Sequence, residues 1–354
     1  MISRGAIRLT LMPPPVQLGA SSVECHLVSL HEPSLAPVDL EPFRRELTGY
    51  CYRMLGSGFE AEDAVQETMV RAWRKASGFE GRSSVRSWLY RIATNVCIDM
   101  HRNVQRRARP MEMGPASPPI ESHLGPLLPE AMWVTPIPDA GIAPEGADPA
   151  EVVHYRESIR LAFVTALQHL PARQRAALIL CEVLRWQVAE VAELLDTSVP
   201  AINSALQRAR STLRSLPEEE RSEELDENDA DLLARYVDAF ERYDIERLVT
   251  LLREDAVQSM PPFAMWLKGA ANIGQFMLEP GPSQCRGSRL VATSANGCPA
   301  FGQYKPDPRG GYMPWALQVL EISGGKITGM QFFLDFLDPQ RLFPTFGLPL
   351  HLEG

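Results

Sequence analysis

The stretch AEVAELLDTSVPAINSALQRARSTL, residues 189–213, decides how the middle of this chain folds. Ala189, Val191, Ala192, Leu194 and Leu195 recur at the spacing of a short amphipathic helix. Asp196-Thr197-Ser198 then supplies a turn whose serine can cap a second helix. Pro200 is tolerated there, because amides in the first helical turn have no intrahelical acceptor to lose. In the second helix Ile202, Ala205, Leu206, Ala209 and Leu213 form the inward row, which leaves Asn203, Ser204, Gln207, Arg208, Arg210 and Arg214 on the opposite face. A short helix, a capped turn and an arginine-rich second helix are the grammar of a helix-turn-helix. The exposed amides, hydroxyl and guanidinium groups can donate to phosphates and base edges in a major groove. Two packed surface helices would share the periodicity; the capped turn and the arginines favour DNA.

Upstream, SIRLAFVTALQHLPARQRAALILCEVLRWQ from Ser158 reads as two helices divided at Leu170-Pro171, with Leu161, Val164, Leu167, Leu178, Ile179 and Val183 as core support. Residues 110–155 contain no Lys or Arg but carry Glu112, Glu121, Glu130, Asp139, Glu145, Asp148 and Glu151 among many prolines. That composition predicts an acidic linker that does not fold alone. Further upstream, 39–109 is helical and changes the sign of its charge midway. Its first part is acidic, through residues such as Glu60, Glu62, Asp63 and Glu67; its second part carries ten arginines and lysines, Arg71 to Arg109, against Glu80 and Asp99.

The net charge of −9 excludes a generic nucleic-acid coat protein, so the local placement of positive charge carries the information. No apolar run reaches the roughly 18 residues of a membrane span, and the N-terminus has no signal-peptide pattern, so a cytoplasmic location is expected. The six cysteines are scattered without a CxxC pair, which predicts reduced thiols and no metal centre; no cofactor is expected either.

The stretch His169 to Arg210 closely resembles region 4 of the extracytoplasmic-function (ECF) sigma factors, bacterial RNA polymerase subunits, which in that family reads the −35 promoter element. GYCYRMLGSGFEAEDAVQETMVRAWRKASGFEGRSSVRSWLYRIATNVCIDMHR, residues 49–102, is similar to their region 2. The resemblance implies that DAVQETMVRAW, Asp63 to Trp73, docks on the clamp helices of the polymerase β′ subunit. Its residues allow this, with Ala64, Val65, Thr68, Met69 and Ala72 inward and Asp63, Gln66, Glu67 and Arg71 outward. Read alone, they equally describe an exposed helix with i,i+4 pairs such as Glu67 with Arg71. The resemblance further implies that the helix from Ser84 to Arg102, with the loop Phe79 to Ser87, captures the melted −10 strand. Leu89, Ile92, Ala93, Val96 and Met100 face inward there. Arg86, Arg91, Asn95 and Arg102 line the basic face, with Trp88 and Tyr90 as stacking platforms, the combination single-stranded DNA requires. The acidic linker would thread the polymerase's RNA exit channel. Implied partners are core polymerase, promoter DNA, and an anti-sigma factor or the chain's own C-terminal part as regulator.

After residue 229, two helical patterns precede short apolar runs such as WALQVLEI and GMQFFLDFL, which predict an α+β domain. DLLARYVDAFERYDIERLVTLLREDAVQSMPP resembles the opening of the SnoaL-like cone-shaped fold, with Leu232, Leu233, Tyr236, Phe240, Leu248, Leu251 and Leu252 as its helix core. The ending LFPTFGLPL looks like that of the sigma factors that carry such a domain. Enzymes of that fold use a pocket Asp or His, and residues 229–350 contain no histidine, which leaves Asp255 and Asp335 beside Met260, Trp266, Trp315 and Phe333. A non-catalytic regulatory module is the expectation.

The whole is expected as a multidomain chain of all-α sigma regions 2 and 4 plus an α+β SnoaL-like domain. Its segments are a disordered arm (1–38), region 2 (39–109), an acidic Pro-rich linker (110–155), region 4 (156–216), a second acidic linker (217–228) and the SnoaL-like domain (229–354). Two other readings of the residues stand beside this one: a helix-turn-helix regulator independent of polymerase, and a SnoaL-like enzyme with a regulatory N-terminal part.

Overall fold

A computed structural model describes residues 40–76, 79, 83–102, 106–142, 149–216, 227–334 and 339–354. The expected N-terminal arm, residues 217–226 of the second linker, and Asp335 lie outside these.

Three helices form the first module: α1 (Arg44–Leu55), α2 (Gly58–Lys75) and α3 (Val85–His101). Gly56 ends α1 in the left-handed region at φ 71°, a conformation that costs glycine little, and its amide donates back to Tyr52 O. Ser57 and Ser84 cap the next two helices by accepting from Glu60 N and Ser87 N. Leu47, Tyr50, Ala64, Val65, Leu89 and Ala93 are buried at the seam, and Tyr50 bonds Thr94 Oγ1 at 2.7 Å.

Beyond α4 (Pro149–Glu157), the second module comprises α5 (Leu161–Gln168), α6 (Ala172–Leu178) running into a π turn at Ile179–Val183, α7 (Val188–Leu194) and α8 (Val199–Arg214). Asp196, at φ 50°, makes the tight turn between α7 and α8; aspartate tolerates that region better than most side chains. Ser198 caps α8 as its position predicts.

The C-terminal module opens with α9 (Glu227–Arg242) and α10 (Ile245–Leu251), then β1 (Leu252–Ser259), β2 (Trp266–Lys268), α11 (Ala270–Met277) and α12 (Pro280–Ser283). Strands β3 (Arg289–Ala295), β4 (Cys298–Pro306), β5 (Tyr312–Ser323) and β6 (Lys326–Leu334) and helix α13 (Pro339–Thr345) complete it. The sheet order is β2-β1-β6-β5-β4-β3, with only β1 and β6 parallel. Register shifts at Gln303/Tyr304 and Glu321/Ile322 mark irregularities of the kind that bend strands. Alternation along the strands sends Phe301, Leu320 and Phe332 to α9–α11, and Ala300, Val319 and Phe333 to the opposite face. That second face packs with α13 into the same apolar cluster as the two helical modules. This is the expected fold class, helical sigma-type modules plus a SnoaL-like α+β sheet.

Residues 110–142 of the expected acidic linker pack against the rest of the chain. They form a packed strap of short 3₁₀ turns in which Trp133, Val134, Ile137 and Ile142 are buried. The strap bonds the first module through Thr135 N to Gly56 O at 3.0 Å and Tyr52 Oη to Thr135 O at 2.9 Å. It bonds the C-terminal module through Ser117 N to Trp266 O at 2.8 Å and Leu128 N to Pro262 O at 3.0 Å. Prolines donate no amide hydrogen, so an extended chain rich in them needs fewer partners to be satisfied. A few apolar residues, diluted in the average composition, supply the anchoring.

Candidate nucleic-acid interface

On α8 the inward row is buried at Ile202, Leu206 and Ala209, and Asn203, Ser204, Gln207, Arg208, Arg210 and Arg214 are all exposed. At 100° per residue, Asn203, Gln207, Arg210 and Arg214 share one stripe, with Ser204 and Arg208 beside it. Arg210 is partly engaged: its Nε donates to Glu182 Oε1 at 2.9 Å. Both side chains of that pair are solvent-accessible, so the attraction is weak and leaves the guanidinium available. Arg185, exposed at φ 59° just before α7, is a further basic side chain of this module that the sequence reading did not single out; its signal was a lone basic residue at the end of an apolar helix.

The α3 residues sit differently. Arg86 bonds Glu46 Oε2 at 2.9 Å and lies 5.1 Å from the centroid of the Trp186 ring, and Arg91 Nη2 donates to Glu193 O at 2.8 Å. Trp186 and Glu193 belong to the second helical module, so it covers part of the face expected to hold a single strand. Asn95 and Arg102 are exposed, Arg102 near Asp99 at 3.5 Å. Trp88 is half-buried with its ring 4.9 Å from Phe79; residues 80–82 of the adjoining loop lie outside the described ones. Tyr90 is not a stacking platform in this arrangement. It is fully buried, 5.0 Å from both the Tyr50 and Trp186 rings, because its position falls beside the inward seam and not on the outer face.

Along α2, Asp63 and Gln66 are exposed and Glu67 is half-buried, where Arg71 Nε reaches its Oε1 at 2.6 Å. Val70 is 41% exposed and Trp73 is 76% exposed on the same stripe. The sequence reading assigned neither to this face. Their signal is an apolar residue at a helical position that the inward row leaves outside.

Two arginines buried between the helical modules were also missed. Arg53 donates to Ser158 Oγ at 2.6 Å, and Arg175 donates to Met54 O, to Gln168 Oε1 at 2.6 Å and to Leu170 O at 3.0 Å. Burial pulls the Arg175 guanidinium down to about 10, which leaves it charged at neutral pH.

A family model of sigma-70 region 2 matches residues 40–107, and one of sigma-70 region 4 matches residues 160–213. The ECF RNA polymerase sigma factor SigG of Mycobacterium tuberculosis is 45% identical over 315 residues, spanning 87% of this chain and 82% of its own length. The chain belongs to the ECF RNA polymerase sigma factors. This sigma factor is also 28% identical to SigJ of Mycobacterium tuberculosis, over 68% of this chain and 71% of that protein. The crystal structure of SigJ superposes with a TM-score of 0.53 at 23% sequence identity, covering 88% of this chain and 98% of that one. The fold is therefore shared through the C-terminal module of this sigma factor. α1–α3 are its region 2, and α5–α8 its region 4.

In the C-terminal domain, Met260 and Trp315 line a cavity, whereas Trp266 lies outside it and bonds Gly114 O, and Phe333 turns to the opposite face of the sheet. Asp255, considered as an acid or base, stands on the exposed side of β1, where a hydrogen bond from Arg253 at 2.5 Å holds its carboxyl below the usual range. It is outside the cavity. Among the described residues no helix is long and apolar enough to cross a membrane.

Proposed function

We propose that this chain brings core RNA polymerase to a set of promoters in the cytoplasm, without catalytic chemistry of its own. The α8 face reads the −35 duplex through Asn203, Ser204, Gln207, Arg208, Arg210 and Arg214. The α3 face, with Arg86, Trp88, Arg91, Asn95 and Arg102, holds the melted −10 strand. The α2 stripe of Asp63, Gln66, Glu67 and Arg71, extended by Val70 and Trp73, docks on polymerase. The observation that carries this reading is the solvent-open α8 face, whose hydrogen-bonding side chains stand opposite a buried apolar row.

The covering of α3 by region 4 supports a closed resting form, which polymerase must open before single-stranded DNA can enter. The strap and the C-terminal domain hold that form together, which makes the domain an internal regulator. Run-off transcription with core polymerase, with and without the purified chain, tests the assignment. Promoter-specific transcripts that require the chain are expected; failure of the chain to associate with core polymerase refutes it. Trp186→Ala, which removes the ring packed against Tyr90 and Arg86, is expected to raise the initial rate by easing opening.

A further inference from the structure

The C-terminal domain carries a cleft of about 310 Å³ between the sheet and its helices. That volume lies at the lower end of the range for small-molecule sites. Its walls are aromatic and apolar, with Phe240, Phe276, Phe332 and Trp315 among them. Gln258, Gln284, Gln303 and Lys305 interrupt this lining, and they are not equivalent. Gln303 is spent: its amide donates to Ser288 Oγ at 3.1 Å and its oxygen accepts from Gln318 at 2.9 Å. Gln258 is 3% exposed and its Oε1 has no hydrogen-bond partner among the described residues. Leaving a buried acceptor unmet costs about 1 to 3 kcal/mol, so this oxygen wants a donor. Lys305 holds its ammonium nitrogen 3.4 Å from the centroid of the Trp315 ring, a cation against an aromatic face and at the edge of the apolar space.

Part of the wall does not belong to the domain. Glu121 and Leu124, from the strap joining regions 2 and 4, complete the lining. Glu121 Oε2 accepts from Gly281 N at 2.9 Å, which engages that carboxylate with the backbone of α12, and Trp266 Nε1 donates to Gly114 O at 2.9 Å. Together with the Ser117 and Leu128 amide bonds, these contacts pin residues 114–128 over the cavity.

We infer that the C-terminal domain binds a small aromatic acid, with its acidic group at Lys305 and a hydroxyl or amide donor at Gln258, and that the strap is the lid of this site. A ligand that touches Leu124 gains affinity only while the strap is down, and by linkage it holds the strap down to the same degree. The strap connects the two promoter-reading regions, so the ligand opposes opening of the closed form. This last step rests on the function proposed above, whereas the site and its lid do not.

The test titrates the full-length chain with 2-naphthoate and with the uncharged 2-naphthamide, by calorimetry, and follows hydrogen exchange of residues 114–128. One saturable site for each is expected, with slower exchange in the strap. Lys305→Met should weaken naphthoate about tenfold or more, the value of a hydrogen bond to a charged group, and leave the amide nearly unchanged. Met260→Trp fills the cavity and should abolish both; should that variant not fold, Gln258→Leu, which should weaken the amide, takes its place. Leu124→Asp should weaken both ligands and remove the exchange effect. Absence of saturable binding, or binding indifferent to Lys305 and to the cavity substitutions, overturns the site. Binding that leaves strap exchange unaltered and ignores Leu124→Asp overturns the lid. Intact binding without any effect on transcription would count against the regulatory reading alone.

Discussion

The side-chain amide of Asn296 donates to the phenol oxygen of Tyr52 across 2.6 Å, joining the β3–β4 turn to helix α1. The same amide donates to Ile159 O at 2.6 Å, and its oxygen accepts from Ile137 N at 3.0 Å. One fully buried side chain, held at φ 57°, thus touches region 2, the strap and the entry to region 4. Asparagine suits this place twice, by tolerating the left-handed backbone and by offering both donor and acceptor.

Asn296→Ala is expected to strand the Ile137 amide and the Ile159 carbonyl, at a cost of about 2 to 5 kcal/mol. The damage falls on contacts between modules and not within them. The variant should therefore show faster proteolysis in the strap and a larger hydrodynamic radius, while its helical circular dichroism persists. A variant as compact and protease-resistant as the parent contradicts the clasp.

For duplex DNA, Arg208→Ala is expected to lose about 1 to 3 kcal/mol at the cognate −35 sequence if it reads a base. If it touches only phosphate, the loss should be uniform across sequences and the salt slope should fall by about one. Glu182→Ala frees Arg210 and should strengthen binding slightly, an effect that vanishes at high salt because the pair is exposed. Competition binding at two salt concentrations separates these outcomes.

Much of this was legible in the sequence because it follows local rules. Ser198, Pro200 and the Ile202–Leu206–Ala209 row fix the turn and the rotation of α8 without any distant contact. Tyr90 failed as a prediction because its surroundings come from elsewhere, from Trp186 of region 4 nearly a hundred residues away. The packing of the strap was not legible for a related reason: Val134, Ile137 and Ile142 join an apolar cluster built from the helical modules and one face of the sheet, and a composition average cannot register that. Asp255 was singled out by residue type, and it lies in the irregular first half of β1, where it and Glu254 are both exposed.

Acid stability should carry the mark of Asp139. Its Oδ1 accepts from Gly297 N at 2.8 Å beside the clasp, yet burial, the largest influence, raises its pKa above the ordinary aspartate value. The native state therefore holds this proton more tightly than the unfolded chain does. The stabilising contribution is full below the ordinary aspartate pKa and is lost as pH rises through the elevated native one. Asp139→Asn keeps an acceptor for Gly297 and removes the titration. Denaturant melts from pH 3.5 upward should show the variant gaining stability relative to the parent as pH rises; a constant difference would mean that Asp139 titrates normally.

Trp73 offers the sharpest test of the polymerase surface. Its ring is 76% exposed and stands on one stripe with Val70, Gln66 and Asp63, so the folded chain gains little from burying it. An exposed tryptophan in a polar stripe is what a partner's apolar pocket would fill, and such anchors commonly contribute about 2 kcal/mol or more to association. Trp73→Ala should weaken binding to core polymerase by about that amount and leave thermal stability and duplex binding by the α8 face unchanged. Asp63→Lys should act mainly on the association rate and its salt dependence, because a rim charge steers more than it holds. Equal loss of stability and of polymerase affinity in Trp73→Ala would show instead that the ring supports the fold, and the docking surface would then have to be sought off α2.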